Sequence, residues 1–233
     1  MKINLQIKNF SKYLSTANLI ECLNLLPDKY KTLTNEVYIF PSYTSYLLFT
    51  LKHLQILSFY SALISIILSL FSSSIDFGYY VVFSKNIYIF ENNILKYIDS
   101  RLNTVKSNSK YETYKSYITN EIILNYRSMW TKYVLLDSLI HELTHALQHK
   151  EKRLSNIFIN KLKKWNSLEN EIEAVSESIK IFNKTHKDFI KILKIKGISI
   201  NHSINPLSIN YNFKIRLCFK SRLIIDSIKV DKS

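Results

Sequence analysis

Glycine is nearly missing from this chain: two occur among 233 residues, beside three prolines and two cysteines. With so few of either, no Pro- or Gly-rich linker divides the sequence, and no short-period repeat is present. The chain therefore reads as one catalytic-sized unit with irregular ends. Cys22 and Cys218 stand near opposite ends with no C-x-x-C pairing. That excludes a disulfide framework and a cysteine metal site, although a single bridge between the ends stays open. It also favours a reducing, intracellular setting. The opening "MKINLQIKNFSKYL" lacks an early apolar run with a small-residue cleavage site, so no secretory signal is expected.

Acidic residues are also scarce, with 18 Asp and Glu against 32 Lys and Arg, for a net charge of +14. Such a charge invites an anionic membrane or nucleic acid as partner. The basic residues are scattered, however, and no helix-turn-helix, zinc-finger or RNA-binding signature is present, so nucleic acid is not an expected partner. A bias toward Lys, Asn, Ile, Tyr and Phe, all with A/T-rich codons, accounts for much of the composition. The apolar share of 47% rules out a wholly disordered chain.

Residues 1–53 read as a helix-leaning N-terminal region broken by Pro27 and Pro41. An apolar helix is expected over 54–75, within "HLQILSFYSALISIILSLFSSSIDF". Its length approaches the ~20 residues that cross a bilayer. Ser58, Ser61, Ser65 and Ser69 recur on one face, which suits close helix packing in a membrane or in a protein interior. Both readings stay open, and the first would anchor the protein to a membrane. From Gly78, "YYVVFSKNIYIF" predicts a hairpin of Tyr79–Phe83 and Ile87–Phe90. Residues 91–105 read as helix, 106–120 as polar loop and Glu121–Tyr126 as a further strand. Helical periodicity returns from Lys132 to Lys150. A second helix is expected from an N-cap at Ser167 toward Gly197. Residues 197–233 form a basic C-terminal region without an assigned role.

The chemistry lies in "LLDSLIHELTHALQHK", residues 135–150. On a helix His141 and His145 share one face, one turn apart, and can aim two imidazole nitrogens at one ion. Glu142, one position round, is poorly directed for ligation but can reach a metal-held water and act as general base and acid. An accidental H-E-x-x-H is expected in roughly one such sequence in a hundred. Here Leu139, Ile140, Leu143, Ala146 and Leu147 supply buried neighbours, and chance does not account for a glutamate amid them. His149 cannot share an ion with His141, because eight residues of helix rise ~12 Å. It is expected to be solvated near the helix C-terminus.

A third ligand is needed, and "SLENEIEAVSESI" offers Glu171 and Glu173. With Asn170-Glu171-Ile172-Glu173-Ala174 after H-E-x-x-H, residues 76–185 resemble the gluzincin metallopeptidases. In these a helix bearing a glutamate ligand follows the motif helix. The resemblance rests on five or six positions and puts the ligand role on Glu171, with Glu173 as fallback. It implies an α+β fold: a zincin-like core of small twisted sheet, active-site helix and glutamate helix, here within 76–196, plus N-terminal helices. It also implies Zn2+ bound by His141, His145 and Glu171, with Glu142 catalytic. The reaction implied is peptide hydrolysis, on a peptide or protein substrate bound as an added strand at the hairpin's edge.

One departure stands out: families of this kind often place an aspartate four residues after the glutamate ligand, and here that residue is Val175. The aspartate orients a zinc-bound histidine. Asp137, one turn before His141, is a substitute. His186, His202 and Tyr211 are unranked candidates for stabilising the developing oxyanion. The competing reading is a basic, membrane-anchored binding protein with a degenerate zincin domain. A non-peptide zinc hydrolase of deformylase type would need a cysteine ligand, which neither cysteine supplies.

Overall fold

The computed structural model describes residues 3–52, 77–81, 84–106, 120–153 and 169–194, with side chains for all of these outside 101–126. The chain begins with β1 (Gln6–Asn9), α1 (Thr16–Asn24), α2 (Asp28–Lys31), β2 (Glu36–Phe40) and α3 (Tyr43–Lys52). There follow β3 (Gly78–Val81), β4 (Asn86–Phe90), α4 (Glu91–Lys106), α5 (Asn120–Lys150) and α6 (Glu169–Ile192). The fold is α+β.

Side-chain alternation builds the sheet. In β2 and β4, Val37, Ile39, Ile87 and Ile89 point to one face, while Tyr38, Phe40, Tyr88 and Phe90 point to the other. Because successive strand residues face opposite ways, each strand splits into an aliphatic set and an aromatic set. The aliphatic face packs on α5 through residues such as Leu135, Leu139, Ile140 and Leu143, all fully buried. The aromatic face is covered by α3, whose Tyr46 sits against Phe40, Tyr88 and Phe90. Strand order is β1-β2-β4-β3. The first three run parallel, and β3 pairs antiparallel with β4 at the sheet edge. Tyr80 opposes Ile87 in that last pair.

The expected hairpin is present as β3 and β4, and Phe83 lies outside the described residues. The helix expected at 91–105 is α4. Two readings are corrected. Residues 1–53 contain three helices but also β1 and β2, short strands that gain their hydrogen bonds only by pairing with each other and with β4. The sheet thus draws strands from both the 1–53 and the 76–196 regions. Glu121–Tyr126 is not a strand but the start of α5, a helix of 31 residues. Extending a formed helix adds one hydrogen bond per residue, which outweighs the strand preference of a short Ile-Ile run. Ser167, the expected N-cap of α6, lies outside the described residues, as do 107–119, the 54–75 stretch and 197–233. No helix among the described residues is long and apolar enough to cross a membrane.

Candidate metal centre

Two packed helices supply the donor atoms. Apolar residues at 135, 136, 139, 140, 143, 146 and 147 bury α5 against the sheet and α6. The helical repeat then carries His141 and His145 along the remaining stripe, facing α6. Glu171 stands in the first turn of α6 and closes the group. Its Oε1 lies 3.2 Å from His145 Nε2 and its Oε2 3.2 Å from His141 Nε2. The two Nε2 atoms are 3.1 Å apart. Among the described residues this is the group that could hold a metal ion.

The donor set fits zinc. Two ligands each ~2.0–2.1 Å from a tetrahedral ion stand roughly 3.3 Å apart. The two Nε2 atoms, and each Nε2 with its nearer Glu171 oxygen, are separated by distances within a few tenths of an ångström of that value. Glu171 Oε2 and His141 Nδ1 are buried without a hydrogen-bond partner. Unpaired polar atoms so placed are costly, and a cation at the centre would satisfy the carboxylate oxygen.

The charges reflect the same crowding. Burial pushes the Glu171 carboxyl up, but the two imidazoles beside it outweigh that and hold it at about 2. Burial resists charge on His145, yet Glu171, Glu142 and Gln148 together raise it to about 9. A ligating histidine must be neutral, so a metal bound here would compete with a proton on His145. Glu142 is buried beside the histidines, and burial raises its pKa. The imidazoles and a backbone hydrogen bond from Tyr80 in β3 counter this in part.

The other candidates are distributed differently. Glu173, the fallback ligand, is turned out of the centre: its Oε2 accepts from Gln148 Nε2 at 3.0 Å and from Arg153 Nη1 at 2.6 Å. Two residues along a helix turn a side chain by about 200°, which separates it from Glu171. Asp137 is buried but accepts the hydroxyl of Ser178, and His141 Nδ1 has no partner, so Asp137 does not orient that ring. His149 is corrected from solvated to half-buried: its Nδ1 lies 2.6 Å from the Tyr80 hydroxyl because the edge strand crosses the end of α5. His186 sits on α6 with Nδ1 3.3 Å from Asn183 O, four turns beyond Glu171. His202 and Tyr211 lie outside the described residues.

Sequence reasoning missed Gln148, whose Oε1 is 2.9 Å from His145 Nδ1. Its spacing of three residues from His145 was the available signal. It also missed Tyr80, which ties the edge strand to Glu142.

No family model, curated protein or solved structure gives a significant match to the chain.

Proposed function

We propose that the protein is a zinc-dependent metalloendopeptidase. His141, His145 and Glu171 hold the ion, and Glu142 is the general base and acid. The observation that carries this is a pair of imidazole nitrogens 3.1 Å apart, each 3.2 Å from one oxygen of the same carboxylate, with a buried glutamate next in sequence to one of them. When bound, zinc supplies a Lewis acid that acidifies water and polarises a carbonyl.

The remaining steps belong to the chain. The Glu142 carboxylate takes a proton from water as its oxygen bonds to the scissile carbonyl carbon. The resulting carboxyl gives that proton to the amine nitrogen as the C–N bond breaks. Burial favours this role, since a raised carboxyl pKa brings the group closer to the pH at which it must both accept and donate. A peptide substrate adds to the sheet along β3, whose position at the edge leaves one side for a further strand. Tyr80 links that strand directly to Glu142.

The first test is zinc content per chain, by elemental mass spectrometry, for wild type and His141→Ala. Near one zinc in the wild type, lost in the variant, is expected. Glu142→Gln should keep the zinc and lose about 10²–10⁴-fold in peptide hydrolysis. A folded wild type without zinc, or a Glu142→Gln variant that cleaves at the wild-type rate, would overturn the reading.

A further inference from the structure

The three polar contacts of Gln148 leave one orientation for its amide. Nε2 lies 2.9 Å from Asn170 O and 3.0 Å from Glu173 Oε2. Both atoms accept only, so the NH2 must face them. Oε1 then faces His145 Nδ1 at 2.9 Å, and the contact is a hydrogen bond only if Nδ1 carries the proton. A neutral ring so arranged presents the Nε2 lone pair, toward His141 and Glu171. Gln148 is fully buried and cannot turn to water for other partners.

The amide is fixed from outside. Arg153 Nη1 donates to Glu173 Oε2 at 2.6 Å. Arg153 reaches that carboxylate because α5 ends in a Schellman turn. Lys152 has φ 56°, its N–H bonds His149 O at 3.0 Å, and Arg153 N–H bonds Gln148 O at 2.8 Å. The chain thus folds back and sets the guanidinium over α6. Asn170, which receives the other amide hydrogen, directly precedes Glu171. One side chain therefore steadies a ligand on α5 and the start of the helix that carries the ligand on α6.

We propose that Gln148, held by Glu173 and Arg153, is the positioning residue that presents His145 Nε2 to the metal. It takes the part that the resembling families give to an aspartate where this chain has Val175. The proposal rests on the metal-centre reading and deepens it. It also gives Glu173 a use without making it a ligand.

The test compares wild type with Gln148→Leu, Glu173→Ala and Glu173→Gln. Zinc affinity is measured by competition with a chromophoric chelator, and the visible spectrum of the Co2+-loaded protein is recorded. Gln148→Leu should weaken zinc binding ~10–100-fold and alter the Co2+ spectrum. Glu173→Ala should weaken it less, by about tenfold at most, and Glu173→Gln should restore it, because a glutamine oxygen still accepts from both partners. A purely structural role would lower stability and leave the spectrum unchanged. Zinc affinity within about twofold of wild type in Gln148→Leu, with the same Co2+ spectrum, would overturn the proposal.

If Gln148→Leu does not fold, the half-buried Glu173 pair decides by the same criteria. If wild type binds no metal, the metal-centre reading fails by itself. The relay is then judged on the metal-free protein, from the His145 Nδ1–H resonance. A downfield resonance that moves upfield in Gln148→Leu, or in Glu173→Ala, supports it. An unchanged resonance overturns it.

Discussion

Lys85, Lys152 and Lys194 hold φ values of 56°, 56° and 53°, in the left-handed region where glycine is the least costly residue. They lie at the β3–β4 turn and just past the ends of α5 and α6. A chain with two glycines meets its turn requirements with lysine instead, at about 1 kcal/mol each. Lys152→Gly should therefore raise stability by about 0.5–1 kcal/mol, read from the urea midpoint. Gly78 is the opposite case. A Cβ there would lie 2.5 Å from Ile89 Cδ1 and 2.5 Å from Tyr88 O. The isoleucine tip can rotate away, but the carbonyl belongs to the neighbouring strand. Gly78→Ala should cost about 1–3 kcal/mol in thermal unfolding. A loss under about 0.5 kcal/mol would mean that β3 shifts freely against β4.

At the scale of the element, α5 carries both the core and the site. Leu139 has no exposed surface and packs in the core on the same helix, two residues before His141 and six before His145. Leu139→Ala should cost about 2–5 kcal/mol, measured by chemical denaturation. The short helix α2 is pinned to α6 by Lys29 Nζ, which lies 2.6 Å from Glu177 Oε2. Burial pushes the Glu177 carboxyl up, but Lys29 and Lys180 outweigh that and hold it below the usual carboxylate range. A depressed folded value means the pair stabilises the fold above the unfolded value of ~4.3 and stops doing so as pH falls through the lower folded value. Lys29 is half-exposed, so Lys29→Met should cost no more than about 1 kcal/mol at pH 7. The difference from wild type should fade on acidification below pH ~4. A difference that persists unchanged at lower pH would assign the effect to packing of the lysine stem.

At the scale of the whole molecule, the donor atoms come from two helices that meet only in the folded chain, so a bound metal stabilises the native state by mass action. Free zinc at about 100 times its dissociation constant should add ~2.7 kcal/mol. Unfolding followed against zinc concentration should show a rising midpoint in wild type, a flat one in His141→Ala, and reversal by chelator. A wild-type midpoint indifferent to zinc would count against the centre. The charge of +14 enters at this scale too, as a field around the molecule rather than as a determinant of fold.

The sequence by itself determined the parts that depend on neighbours along the chain. The repeat of 3.6 residues places His141 and His145 on one face wherever the helix docks. Alternation in "NIYIF" makes β4 two-faced before any partner is known. The ligand role of Glu171 rested on resemblance, and the structure brings that carboxylate between the two imidazoles. Tertiary structure decided the rest. β1 and β2, four and five residues long, have no signal strong enough to stand apart from their surroundings and exist as strands because β2 lies beside β4 and β1 beside β2. Residues 120–131 joined α5 by extension of a helix already formed. Gln148, Glu173 and Arg153 became one hydrogen-bonded set only when α6 docked on α5. Hydrogen bonds between residues 20 or more positions apart are set by packing, and packing is not written in local periodicity.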